Sequence, residues 1–99
     1  MAKAEREMIE VQNVVSPDHR QRVDAAKYHA MREVWLSALP DAPPGVTPAA
    51  ILEEIRPRLP QDRFPGGEKA GWWAKCVQLD LEAKGIVRRT EKPVRLWKA

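Results

Sequence analysis

Apolar positions change their spacing along the chain, and each change marks an element. Near the start, Ile9, Val11 and Val14 alternate with Glu10 and Gln12, the period-two pattern of a short half-buried strand. Ser16-Pro17-Asp18 has turn chemistry, and the polar residues 19–23 read as a connection. From Asp24 the period becomes helical. Tyr28, Met31, Trp35 and Leu39 form a stripe that Val34 and Ala38 widen, with Asp24 as N-cap and Pro40 as stop, which predicts a helix over 25–39. Asp41-Ala42-Pro43-Pro44-Gly45 is a stiff turn. Thr47-Pro48, a capping hydroxyl followed by proline at the first helical position, opens a second helix over about 48–56. Ile51, Ile55 and Leu59 are spaced by four with Leu52 alongside, and Pro57 distorts the end by disfavouring an α conformation at Arg56. Residues 60–67 form a loop that Phe64 anchors to the core.

A third helix is expected over 68–84. At 100° per residue, Trp72, Cys76, Leu79 and Ala83 share one narrow arc, and Trp73, Val77 and Leu81 a second beside it. So wide an apolar surface belongs to a central helix packed on two sides, leaving Gly71, Ala74, Lys75, Gln78 and Glu82 as the wet strip. Gly85 is the expected left-handed residue after the helix. Ile86-Val87-Arg88-Arg89 and Val94-Arg95-Leu96-Trp97 then flank Thr90-Glu91-Lys92-Pro93 as two short strands around a turn. The prediction is an α+β fold: a three-helix winged-helix-like domain over 8–99 with a C-terminal β-hairpin and a short N-terminal strand, behind a flexible N-terminus at 1–7.

Composition adds two things. Four Trp in 99 residues, each able to bury about 150–250 Å², could dominate so small a core if packed together. One Cys excludes an internal disulfide, so Cys76 reads as a small buried hydrophobe in a reducing compartment, with a reactive thiol the lesser alternative. No apolar stretch reaches the roughly 18–20 residues of a membrane span, and the charged start lacks the core of a signal peptide, so a cytoplasmic protein is expected. Net charge is +3, but it is uneven. Residues 1–68 hold nine Lys/Arg against eleven Asp/Glu, whereas 69–99 hold eight against three. A basic C-terminal third points to a polyanionic partner; the plain alternative is a hairpin kept soluble by its charge.

The stretch Leu81-Glu82-Ala83-Lys84-Gly85-Ile86-Val87-Arg88-Arg89 resembles the end of the recognition helix and first wing strand of winged helix-turn-helix proteins, with Leu81, Gly85, Ile86 and Val87 at the matching places. Over nearly its whole length the chain also resembles a family of small bacterial proteins of unknown function. Arg22-Val23-Asp24-Ala25-Ala26-Lys27-Tyr28, Leu59-Pro60-Gln61-Asp62, Phe64-Pro65-Gly66-Gly67, Lys69-Ala70-Gly71-Trp72-Trp73 and the run from Val77 to Gly85 carry that likeness. It implies the domain limits and the helix-then-hairpin end, and offers no activity.

Two functions of different kinds follow. In the first, nucleic acid is bound, with duplex DNA as partner: Lys75 and Gln78 enter the major groove, while Lys69, Arg88, Arg89, Lys92 and Arg95 contact phosphates. Glu82 on the same strip, and the long connection before the third helix, count against it. In the second, the domain is a protein-interaction or homodimerisation module. Trp72 and Trp73 point about 100° apart, so one can be core while the other lines a second surface, and Trp97 with the front strand could complete an interface. Trp35, Trp72, Trp73, Asp80 and Gly85 are expected to be structural, with Trp35 the firmest core residue. Asp80 lies between the apolar arcs and needs partners, for which Arg20, Arg22 and Lys84 are candidates. Gly66-Gly67-Glu68-Lys69-Ala70-Gly71 reads as a tight loop rather than an anion cradle. His19, His29 and Cys76 have no metal-ligand spacing, and no nucleophile–base pair is present. No enzyme, cofactor, metal, membrane or small-molecule substrate is expected.

Overall fold

The structure, a computed structural model, describes residues 7–99. The expectation of a flexible 1–7 therefore lies outside the described residues except at Glu7, whose carbonyl accepts from the Ala25 N–H at 2.9 Å. Three helices and two separate antiparallel hairpins make an α+β architecture. The elements are β1 (Met8–Val11), β2 (Gln21–Asp24), α1 (Ala25–Ser37), α2 (Pro48–Ile55), α3 (Ala70–Ala83), β3 (Val87–Thr90) and β4 (Arg95–Lys98).

Local chemistry sets the helix limits. Asp24 Oδ1 accepts from the Ala26 and Lys27 N–H groups to start α1, and Thr47 Oγ1 accepts from Ala50 to start α2 behind Pro48. Past Ile55 the chain tightens into a 3₁₀ turn over Arg56–Arg58, the distortion expected around Pro57. Gly85 follows α3 at φ +78°, a conformation that relieves the last turn and that L side chains resist.

One element differs from expectation. The polar stretch read as a connection contains β2, which pairs with β1 in the register Met8↔Asp24, Ile9↔Val23, Glu10↔Arg22 and Val11↔Gln21. Val23 is its single buried residue, so it lacks the alternation that marks a strand in sequence. β3 and β4 pair as anticipated, with Arg88 opposite Trp97 and Arg89 opposite Leu96. Val46, between α1 and α2, adds an isolated bridge to Leu96, donating at 3.0 Å and accepting at 2.8 Å. Gly45 permits that approach: a Cβ there would lie 2.5 Å from the Leu96 carbonyl oxygen.

The core gathers Tyr28, Met31, Trp35, Ile51, Ile55, Phe64, Val77, Leu81 and Leu96. Each large side chain so buried contributes about 1.5–3 kcal/mol relative to exposure. Phe64 anchors the α2–α3 connection edge-on against Trp73, ring centroids 6.3 Å apart. The tryptophans do not pool in one cluster. Trp35 and Trp73 are buried, Trp97 is half-buried, and Trp72 stands 47% exposed.

Candidate binding site

Of the strip of α3 expected to be wet, Gly71 and Lys75 are exposed but the other three residues are inside. Ala74, Gln78 and Glu82 are all under 9% exposed. The two polar groups survive burial because each has partners. Gln78 Nε2 donates to Glu82 Oε2 at 2.9 Å, and the Arg89 guanidinium reaches across from β3 to donate to both Glu82 oxygens at 2.5 and 3.2 Å. Arg89 also donates to Glu91 at 3.0 Å. These hydrogen bonds, Glu82 first, hold Arg89 charged by raising it further above its already high ordinary value. The placing of Gln78 on a groove-reading strip is thereby corrected: it is 2% exposed and its amide is committed to Glu82. Arg89 is turned inward to the same network, away from any phosphate.

Asp80 is fully buried, as its place between the arcs implied, and Lys84 is its partner among the three candidates. The Lys84 ammonium donates at 2.9 Å, and the Gln12 N–H donates to the other oxygen at 2.8 Å. The Tyr28 hydroxyl gives Asp80 a third hydrogen bond. Burial, followed by the bond to Asp80 and its negative charge, pushes the Tyr28 phenol above its ordinary value. Asp80 thus joins α1, α3 and the loop after β1. A second tie, Val14 N–H to the Leu79 carbonyl at 3.3 Å, lays that loop along α3.

What α3 turns outward is its other apolar arc. Trp72 is exposed, and Cys76, Leu79 and Ala83 are half-buried, with Lys75 beside them. The N-terminal hairpin only partly covers this face, and two depressions remain on either side of Trp72. The larger, about 550 Å³, is lined by Met8, Gln21, Arg22, Val23, Asp24, Lys27, Lys69, Trp72 and Trp73. The smaller, about 140 Å³, lies among Val11, Gln12, His19, Trp72, Lys75, Cys76 and Leu79. Lys69 and Lys75, both exposed, are thus brought together around Trp72. Arg22 and Lys27 join them from β2 and α1, and sequence reasoning did not assign those two to a site. Their only signal was proximity to the α1 cap, because the fold alone carries them to α3. Lys69 holds a left-handed conformation, φ 56°, at the start of α3. Burial and then the Asp80 charge push the Cys76 thiol up to about 11, which disfavours its thiolate.

The remaining basic residues lie on the C-terminal hairpin. By the pleat and register, Arg88, Thr90, Arg95 and Trp97 share its outer face, with Lys92 exposed in the turn. Gly66 and Gly67 take positive φ in a tight turn ahead of α3, in keeping with a loop of restricted geometry. Among the described residues no group of three or more His, Cys, Asp or Glu could hold a metal ion, and no helix is long and apolar enough to cross a membrane.

No curated protein and no solved structure matches the chain. A family model does match, that of a family of unknown function (DUF6958), and it runs over residues 8–96, from the first residue of β1 to the middle of β4. With the N-terminal hairpin, the three helices, the Trp72 cleft and the C-terminal hairpin as far as Leu96 within those limits, the chain belongs to this family of unknown function.

Proposed function

We propose that this winged-helix-like domain is a protein-interaction module that receives a partner in the cleft between its N-terminal hairpin and α3. The observation that carries the reading is Trp72, an exposed indole between two depressions, on a helix whose opposite side is packed and polar-satisfied. Tryptophan at such a place supplies large contact area at low entropic cost and is the residue most enriched in binding hot spots. The site binds and does no chemistry. Selection of binders from a displayed peptide library tests it: enriched sequences should lose at least about tenfold in affinity when Trp72 becomes Ala, a loss of about 1.4 kcal/mol. Binding indifferent to Trp72 sinks the reading.

A second reading keeps nucleic acid, now through the hairpin alone. The supporting observation is the outer face carrying Arg88, Arg95 and Trp97 with Lys92 at the turn. Three phosphate contacts give log K a slope of about −2.7 against log salt on duplex DNA. A titration at several salt concentrations, repeated with Arg88→Glu, should show that slope and its loss; no binding at low salt removes this reading.

A further inference from the structure

We infer that the occupant of the Trp72 cleft is an acidic peptide segment with one large apolar side chain, an inference that rests on the protein-interaction reading. The cleft is apolar at its floor and cationic at its rim. Met8, Val23, Trp72 and Trp73 line the larger depression, whose volume of about 550 Å³ falls within the roughly 300–1,000 Å³ of clefts that hold ligands. Arg22, Lys27 and Lys69 surround it, and Lys75 borders the smaller one.

None of these four cations makes an ion pair with a described residue, a condition they share with Arg32, Arg56, Arg88, Lys92 and Arg95, but they are the ones gathered around an apolar seat. One acid lines the cleft, Asp24, and its Oδ1 is engaged by the Ala26 and Lys27 N–H groups as the α1 cap. The rim is therefore a positive field around an apolar seat. Carboxylates on either side of a buried anchor complement it, and they speed encounter through the same field.

Lys69 and, in the hairpin turn, Lys92 share a backbone conformation that L side chains rarely adopt. Glycine in place of Lys69 would be free of the steric cost. As a donor only, the Lys69 ammonium cannot cap the free N–H groups at the start of α3, and it makes no side-chain capping bond there.

The test uses the full chain and a displayed library of random peptides about twelve residues long, with the Trp72→Ala protein as counter-selection. The expected winners carry a clear excess of Asp and Glu around one Trp, Phe, Leu or Met. A fluorescein-labelled peptide of the winning sequence should then bind at least about tenfold more weakly to Lys69→Glu and to Arg22→Glu. It should also weaken as NaCl rises from about 50 to about 300 mM. Lys69→Gly guards against misfolding: its thermal midpoint should equal or exceed that of the parent while its affinity falls several-fold. Winners without acidic excess that still need Trp72 overturn this inference and leave the interaction module standing. No Trp72-dependent winner overturns both. Labelled oligothymidine that binds and is lost with both Trp72→Ala and Lys69→Glu also overturns the inference, and assigns the cleft to single-stranded nucleic acid.

Discussion

Three donors from distant parts of the chain end on the carboxylate of Asp80: the Gln12 N–H, the Tyr28 hydroxyl and the Lys84 ammonium. Replacing Asp80 by Ala leaves all three facing a site with no acceptor, and removing one member of a buried pair costs about 3–5 kcal/mol. Tyr28→Phe deletes a single hydrogen bond and keeps the ring, so it should cost only about 1–2 kcal/mol. Urea denaturation of the two variants reads the contrast, and equal losses would show that Asp80 acts merely by filling space. The carboxylate was recognisable as an anchor from sequence, because a charge between two apolar arcs must be satisfied. Two of its donors, a backbone N–H far up the chain and a tyrosine assigned to a core stripe, have no sequence signal.

Among the elements, those governed by local chemistry were legible. The Asp24 and Thr47 caps, the Pro57 distortion, Gly85 and the basic hairpin all lie where side-chain type and spacing put them. β2 was not, since Gln21 and Arg22 look like loop and become strand only through pairing with β1. The orientation of α3 was half legible. Trp73, Val77 and Leu81 do face the core, but periodicity assigns Gln78 and Glu82 to water because it cannot see Arg89 arriving from β3 to satisfy them. The hairpin gives a prediction at this scale. Arg88→Ala, on the outer face, should change stability by no more than about 0.5 kcal/mol. Arg89→Ala strips Glu82 of its cation while leaving it buried, and should cost about 2–3 kcal/mol by thermal or urea unfolding. Equal effects would mean that the two arginines are not turned to opposite faces.

For the molecule as a whole, alkaline pH should be the destabilising direction. Cys76 and Tyr28 both have folded-state values raised above ordinary ones, Cys76 from 9.0 to about 11. For a group raised in the folded state, the stabilising contribution is complete below its unfolded value. It is then lost as pH climbs through the folded one, because the unfolded chain sheds its proton first. Thermal midpoints attributable to these groups should stay level up to about pH 9 and fall beyond it. Tyr28 is the only tyrosine, so its phenolate absorbance should appear together with unfolding and not before it. An early, independent tyrosine titration would contradict the closed Tyr28–Asp80 contact. At this scale the candidate site was the least legible feature. Lys69, Lys75 and Trp72 were visible as chemistry, but Arg22 and Lys27 reach them only because β2 and α1 fold against α3.

The neighbouring indoles of Trp72 and Trp73 lie with ring centroids 5.0 Å apart and planes at 81°. Chromophores so close share their excited states, and the chirality of the pair is written into the circular dichroism spectrum. Trp73 is clamped by Phe64 and the core, so Trp72 is the movable half of this couplet. Anything that seats in the cleft and turns that ring rewrites the spectrum, whereas a ligand held on the hairpin leaves it alone. The molecule therefore carries its own unlabelled optical gauge of which surface is in use.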